Sequence, residues 1–269
     1  MGLKLIVGKM KIFDSHCHLD DRMYRKDIAR VIERAHQNGV VRMLTVGVNK
    51  ETAFRAVSLA ESYPDIYASV GFHPHDAAQC NPATLDFMIT LAENPKVMAW
   101  GEIGLDYNRM YSPREDQERW FIRQLEIAGE LGLPMIFHER DSNGRFLDIL
   151  KAHLIDGQTG VIHCFSGNTA ELQQYLGMGL YIGITGILTL KSRGAKLRQM
   201  VTEIPSNRLL VETDSPYLTP ALEKNHSRRN EPAFVKSVLL KLAEVRGEDP
   251  AQLAQTIWDN TCRLYKLES

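Results

Sequence analysis

Short runs of apolar and β-branched residues recur along the chain, and longer segments with helical spacing of their apolar positions lie between them. Eight such runs are present, at residues 11–15, 41–46, 66–71, 97–101, 134–138, 160–163, 180–184 and 208–212. This alternation is typical of repeated βα units. The pattern therefore predicts eight strands in a parallel sheet.

The segments between the runs have the features of amphipathic helices. In segment 27–38 the apolar positions keep helical spacing, at Ile28, Val31, Ile32 and Ala35. Gly39 follows as a stop signal. Segments 113–131 and 231–245 behave similarly, and segment 250–265 offers one helix more after the last strand.

Eight strands with eight following helices in 269 residues predict one (β/α)₈ TIM barrel. An open doubly wound sheet is the competing architecture. The chain has no Ser- or Gly-rich linker and no break in composition, so we expect a single barrel domain over residues 1–269. Residues 1–10 precede the first strand as an N-terminal extension, which an alternative start at Met10 would remove.

The composition narrows the class of protein. With 44% hydrophobic and 24% charged residues the chain has the balance of a globular protein, and its net charge of −1 means that any contact with a polyanion must come from a local patch. Four cysteines form no CxxC pair, which favours reduced thiols in a cytoplasmic protein. The first ten residues do not resemble a signal peptide, and no segment approaches the ~18 apolar residues that a membrane span needs.

Polar residues close five of the eight runs, and functional residues of α/β barrels lie at the carboxyl ends of strands. The first run leads into His16-Cys17-His18. On an extended strand His16 and His18 project to one side and Cys17 to the other, so two imidazole nitrogens can reach one metal ion. Taken alone, the motif also fits two partly exposed imidazoles beside a turn.

The other strand ends supply carboxylates and two more imidazoles, at Glu102, His138, His163, Glu212 and Asp214. Each has a structural alternative when taken singly: a salt bridge for Glu102, a core histidine for His138 or His163, and a turn cap for Asp214. Because five strand ends agree, we predict one shared site that includes all of them except Glu212. Its mixed nitrogen and oxygen donors suit zinc, manganese or iron, and magnesium less well.

Five motifs stand at the strand ends: Phe13-Asp14-Ser15-His16-Cys17-His18-Leu19-Asp20, Gly71-Phe72-His73-Pro74, Gly101-Glu102-Ile103-Gly104-Leu105-Asp106-Tyr107, His163-Cys164-Phe165-Ser166-Gly167 and Val211-Glu212-Thr213-Asp214-Ser215-Pro216-Tyr217-Leu218. Together they resemble the TatD family of metal-dependent hydrolases. The motifs occur in the family's order, from residue 11 to about residue 265.

The resemblance implies a barrel of the amidohydrolase superfamily that acts as a metal-dependent deoxyribonuclease, with exonuclease activity on single strands in some members. It implies two divalent ions, usually Mg²⁺ or Mn²⁺, and the donor set adds Zn²⁺ to the candidates. His16 and His18 would hold one ion together with Asp214, and His138 and His163 would hold the second. Glu102 would bridge the two ions.

Two catalytic roles are predicted. Asp214 is the candidate general base, because it ends the last strand and could bind a metal through one oxygen while the other takes a proton. Glu102 contributes position and charge rather than proton transfer.

Contacts with a substrate are predicted at two further positions. His73 could hydrogen-bond a phosphate oxygen, with an imidazole packed on Pro74 as the alternative. Arg140 could bind a phosphate, with a salt bridge to Asp141 or another acid as the alternative. Asp106 is expected to orient a ligand or a loop rather than to catalyse.

The loops after the strands carry cations and aromatic rings that could face nucleic acid. The cationic and polar candidates are Arg193, Lys196, Arg228, Arg229 and Asn230. The stacking candidates are Tyr107, Tyr111, Phe165 and Tyr217. Solvated surface charge and aromatic packing over the barrel mouth are the respective alternatives.

These predictions favour a cytoplasmic, monomeric 3′ to 5′ exonuclease that acts on single-stranded ends of DNA or RNA. A D-aminoacyl-tRNA deacylase, or another ester or small-molecule hydrolase, is the alternative on the same metal site. A metal-binding protein without enzymatic activity is a third hypothesis. It is disfavoured because a full ligand set with a candidate base is more than binding requires.

Overall fold

The computed structural model describes residues 10–225 and 227–268. Eight parallel strands lie in sequential order, so that each strand pairs with the next one along the chain. Strands β1 to β8 are Ile12–Cys17, Val40–Gly47, Ile66–Val70, Val97–Asp106, Met135–Arg140, Gly160–Ile162, Tyr181–Ile184 and Leu209–Val211.

Helices follow the strands in alternation, and a last helix ends the described part of the chain. Helices α1 to α9 are Ile28–Gln37, Lys50–Ser62, Pro82–Ala92, Arg114–Leu131, Arg145–His153, Thr169–Gly177, Ala195–Met200, Val235–Arg246 and Pro250–Leu264. Within the described residues, no helix is both long enough and apolar enough to cross a bilayer.

Backbone contacts between the first and last strands join the two edges of the sheet. Cys17 forms a parallel bridge with Ser215, and His18 N donates to Ser215 O over 2.7 Å. Asp214 N donates to His16 O over 2.9 Å. The predicted (β/α)₈ barrel is confirmed, and the open doubly wound sheet is wrong.

The interior of the barrel is filled by inward-facing apolar side chains of successive strands, including Phe13, Leu44, Ala99, Ile136, Val161 and Leu210. Trp258 and Tyr265 pack against Phe13, with ring centroids 6.2 and 6.1 Å apart. Phe13 lies near the start of β1, so the C-terminal segment covers the amino end of the barrel. The carboxyl ends of the strands remain for polar side chains.

Strand β4 is longer than the sequence pattern predicts. The prediction ended it at Gly101, but the strand continues to Asp106. Gly104 has φ +143°, and a Cβ atom there would lie 1.9 Å from the carbonyl oxygen of His138 on β5. The missing side chain lets β4 and β5 approach closely, and Glu102 therefore lies inside the strand rather than after it.

The helix expected over 231–245 is shorter at its amino end. It begins only at Val235, after a 3₁₀ turn at Pro232–Phe234. Glu231 is extended, with φ −143° and ψ 153°, because the helical conformation is disfavoured for a residue that precedes proline. The predicted N-terminal extension lies outside the described residues, apart from Met10.

Candidate metal centre

The end of β1 supplies two imidazoles to the carboxyl face of the barrel. Nε2 of His16 and Nε2 of His18 are 3.4 Å apart, while Cys17 turns the other way, its thiol donating to Leu44 O. Nδ1 of His18 lies 3.1 Å from Val46 O. A carbonyl oxygen only accepts hydrogen bonds, so Nδ1 carries the proton and leaves Nε2 free to bind a cation.

Asp214 lies beside this pair because its backbone is hydrogen-bonded to β1. Its Oδ1 is 3.3 Å from His18 Nε2, 3.8 Å from His16 Nε2 and 3.7 Å from His163 Nε2. Burial raises the pKa of the Asp214 carboxyl, but the hydrogen bond with His18 and the charges of the neighbouring imidazoles outweigh it and lower the pKa below its usual value. The carboxylate is therefore ionised at neutral pH.

Glu102 lies between two groups of imidazoles. Its Oε2 is 3.4 Å from His16 Nε2, and its Oε1 is 2.6 Å from His138 Nδ1 and 3.5 Å from His73 Nε2. The side chain is buried, which raises the pKa of its carboxyl, yet the surrounding imidazoles hold that pKa well below its usual range. Glu102 thus faces His16 with Oε2, and it faces His138 and His73 with Oε1.

His138 contacts a carboxylate with each ring nitrogen. Besides Glu102, it meets Asp106, whose Oδ2 lies 3.3 Å from His138 Nε2 and 2.7 Å from His75 Nε2. Burial lowers the pKa of His138, but the two carboxylates outweigh it and raise the pKa to about 9. His73 Nε2 is 3.2 Å from His138 Nδ1. His138 therefore adjoins both His73, which was predicted to contact substrate, and His75, which was not among the predicted site residues.

His163 stacks on His16, with ring centroids 3.5 Å apart. Its Nδ1 is 2.8 Å from Oε1 of Glu212, and the same oxygen accepts a hydrogen bond from Cys164 N. Glu212 is fully buried behind the imidazole. Glu212 was left out of the predicted site, although a carboxylate two residues before Asp214 on a strand was a signal for it.

These donor atoms have the spacing of ligands around a cation. Ligand atoms held about 2.1 Å from one tetrahedral ion lie roughly 3.4 Å apart. Nε2 of His16, Nε2 of His18 and Oδ1 of Asp214 are separated by 3.3 to 3.8 Å. The described residues contain two further groups of three possible ligands, and within each group the donor atoms lie within 4.8 Å of one another. The first group is His73, His75 and His138, and the second is His16, His163 and Glu212.

Unsatisfied polar atoms lie in the group of His16, His163 and Glu212. Nδ1 of both imidazoles and Oε2 of Glu212 are buried without a well-aligned hydrogen-bond partner among the described residues, whereas Nε2 of each ring faces Asp214. The carboxylates raise the pKa of His18, His138 and His163 to about 9, so these rings hold protons at neutral pH. A divalent cation could replace those protons, which is the usual exchange when a metal binds imidazole.

The donor groups line a cavity of about 650 Å³ at the barrel mouth. Three guanidinium groups also line it and have no ion-pair partner among residues 10–225 and 227–268: Arg22, Arg109 and Arg140. The salt bridge considered for Arg140 is therefore not observed. Tyr111 and Tyr217, 65% and 52% exposed, lie at the rim.

Other predicted rim residues have structural contacts instead. Arg229 pairs with Asp27 and Glu231, and the buried Asn230 donates to backbone oxygens of Thr213 and Tyr217. Phe165 is buried in the core, and the Tyr107 hydroxyl donates to Glu118. Arg193, Lys196 and Arg228 are exposed and lie outside the described lining of the cavity.

The sequence is similar to known proteins over almost its whole length. The 3'-5' ssDNA/RNA exonuclease TatD of Escherichia fergusonii is 42% identical over 256 residues, which cover 94% of this chain and 98% of that protein. The protein of the same name from Salmonella typhimurium is 42% identical over 258 residues, or 95% and 99% of the two chains.

Solved structures with the same fold also come from TatD homologues. The structure of YjjV, a TatD homologue from Escherichia coli K12, has a TM-score of 0.87 at 29% identity and covers 97% of this chain and all of that one. A TatD family hydrolase from Entamoeba histolytica has a TM-score of 0.86 at 26% identity, with 95% and 98% covered. The family described as "TatD related DNase" matches residues 13–266. The resemblance seen in the sequence is confirmed, and the chain belongs to the TatD family of DNase-related hydrolases.

Proposed function

We propose that this protein is a metal-dependent exonuclease that removes nucleotides from the 3′ ends of single-stranded DNA or RNA. The observation that carries the proposal is the meeting of nitrogen and oxygen donors around Glu102 at the carboxyl face of the barrel. The substrate and the polarity follow relatives that are 42% identical and named 3'-5' ssDNA/RNA exonuclease TatD.

Two divalent ions would fit this donor arrangement. His16, His18 and Asp214 would hold the first, His138 and His163 the second, and Glu102 would face both. When bound, such ions supply Lewis-acid polarisation of a phosphoryl group and acidify water. The imidazole-rich donor set favours Mn²⁺ or Zn²⁺ over Mg²⁺.

Asp214 would take the proton of the attacking water. Its pKa lies below the usual value, so the carboxylate is free to accept a proton at neutral pH. Glu102 would hold His16 and His138 in place through its two oxygens and add negative charge for the cations. Asp106 would orient His138 through Nε2.

The cavity suits one nucleotide and its phosphate. Its volume of about 650 Å³ lies within the ~300–1,000 Å³ of common ligand sites. Arg140 would pair with a phosphate, as would Arg22 and Arg109. His73 would contact a phosphate oxygen from beside Glu102, and the exposed rings of Tyr111 and Tyr217 would stack on bases.

Asp214→Asn tests the mechanism. We expect kcat on single-stranded DNA to fall about 10²- to 10⁴-fold, because the amide cannot accept the proton. Rates would be measured with Mn²⁺ on single-stranded DNA, single-stranded RNA, duplex DNA and a D-aminoacyl ester. Asp148→Asn, at an exposed position on α5, is the matched control.

Each outcome of this panel decides between hypotheses. Cleavage of the single strands, abolished by Asp214→Asn and kept with Asp148→Asn, supports the proposal. Hydrolysis of the ester alone would replace it with the deacylase alternative. Unchanged cleavage by Asp214→Asn would remove Asp214 from the mechanism.

A further inference from the structure

An exposed groove lies beside the metal cavity on the outer side of α2. It is lined by Phe54, whose side chain is 57% exposed, and by Phe87 of α3. Arg25, from the segment between β1 and α1, and Lys50, the first residue of α2, also line it. The volume of this part of the groove is about 440 Å³.

The groove adjoins the metal cavity at Arg55. This residue lines the cavity that contains Glu102 and Asp214, and it also lines the groove beside Phe54. A second depression of about 390 Å³, between α1 and α2, shares both Phe54 and Arg55 with the groove. A chain leaving the metal centre past Arg55 therefore passes next to the groove that contains Phe54.

The charges that line the groove favour a polyanion. The lining includes three cations, Arg25, Lys50 and Arg55, and one acid, Glu51, which pairs with Arg55. In contrast, the side chains of Arg25 and Lys50 form no ion pair within the described part of the chain. The unbalanced charge at the groove is thus positive.

The cations stand next to aromatic rings. Nζ of Lys50 lies 4.8 Å from the centroid of the Phe87 ring, and Phe54 is exposed beside it. Single-stranded nucleic acid is bound by this combination, in which bases stack on aromatic side chains and cations follow the phosphates. A purely apolar partner would leave Arg25 and Lys50 without a counter-charge.

We propose that the groove of Phe54, Phe87, Arg25 and Lys50 binds the body of a single-stranded substrate whose end is held at the metal centre. A base stacks on Phe54, and Arg25 and Lys50 bind backbone phosphates. The inference rests on the proposed exonuclease function, whose 3′ to 5′ polarity places the strand in the groove on the 5′ side of the nucleotide being removed.

The test compares Phe54→Ala with the parent protein on two substrates, a dinucleotide and a single-stranded oligonucleotide of about ten nucleotides. Alanine favours helix at this exposed position, so the fold is retained. We expect the ratio of kcat/KM for the long substrate to that for the dinucleotide to fall roughly tenfold, through KM, because one base no longer stacks on a ring. Phe54→Tyr, which keeps a ring, restores the ratio.

Salt dependence tests the cations separately. In the Arg25→Gln, Lys50→Gln double variant, the slope of log KM against log salt for the long substrate should decrease by about 0.7 for each phosphate that the protein no longer neutralises. Leu240→Ala and Lys151→Gln, at exposed positions on α8 and α5, are the matched controls.

The outcomes separate this inference from the function on which it rests. Cleavage of both substrates by the parent protein, with an unchanged ratio in Phe54→Ala or an equal change in Leu240→Ala, overturns the groove and leaves the exonuclease intact. If the parent protein has metal bound and cleaves neither the oligonucleotide nor the dinucleotide, the proposed exonuclease function is wrong.

Discussion

Glu212 supports the metal centre from behind His163. Its Oε1 lies 2.8 Å from His163 Nδ1 and accepts a hydrogen bond from Cys164 N. We expect Glu212→Gln to lower affinity for Mn²⁺ about 10- to 100-fold, because the carboxylate orients the imidazole and increases its basicity. Isothermal titration of the metal-free protein measures this, with Glu203→Gln, at an exposed position, as the control. Equal affinities in the two variants would show that Glu212 does not act on the metal site.

Asp14 gives a prediction on stability and pH. Thr213 donates its backbone N–H to Oδ1 over 2.8 Å, and its hydroxyl lies 2.6 Å from Oδ2. Burial, together with the nearby charge of Glu212, raises the pKa of Asp14 to about 8. In the unfolded chain the pKa is about 3.9. Between these values only the unfolded state loses the proton, so the free energy of unfolding falls as pH rises from about 4 to about 8.

Asp14→Asn should remove this dependence, since an amide can make both contacts with Thr213. We compare the free energy of unfolding of the variant with that of the parent protein. As the pH rises toward 8, the difference in favour of the variant should increase by up to about 1.4 kcal/mol per pH unit, and above pH 8 it should stay constant. Urea denaturation from pH 6 to pH 9 measures it. An advantage that stays constant over this range would mean that Asp14 titrates near its ordinary pKa.

At the scale of elements, the contact of β4 with β5 holds two of the site residues together. We expect Gly104→Ala to lower the free energy of unfolding by about 2 kcal/mol or more and to reduce nuclease activity, because its Cβ would meet the backbone of His138. Gly132→Ala is the matched control: Gly132 also has positive φ, +65°, but no atom within 4 Å of an added Cβ. It should cost only about 1–2 kcal/mol and keep activity. Equal losses in both variants would contradict the close-contact explanation.

The sequence predicted the elements where local pattern determines them. Each predicted strand appears, since a short apolar run buried between helices has few other solutions, and the polar residues that close the runs meet at the carboxyl face. The extension of β4 past Gly101 was not predictable, because it depends on the approach of β5. The pairing of Glu212 with His163 was missed for a similar reason: the two residues follow β8 and β6, which are separated by β7 in the sheet, so their contact depends on the folded barrel.

At the scale of the whole molecule, the net charge of −1 gives no indication of where a polyanion would bind. The position of such a site depends on which cationic side chains form ion pairs in the fold and which do not. Arg229, which the sequence suggested as a contact for nucleic acid, forms ion pairs with Asp27 and Glu231. Arg140 lines the cavity and is available to bind a phosphate. Which cations pair depends on contacts between segments that are far apart in the chain, so a single sequence does not show it.

The proposed function makes one prediction for the complete enzyme: single strands shorten from the 3′ end, and only with a metal bound at the centre around Glu102. The measurement is a time course on a 5′-labelled single-stranded DNA with Mn²⁺, for the parent protein and for Glu102→Gln. We expect the label to pass through a ladder of progressively shorter products with the parent and to stay at full length with Glu102→Gln. Early release of the label as a mononucleotide, or intact DNA in the presence of protein with metal bound, would contradict the account.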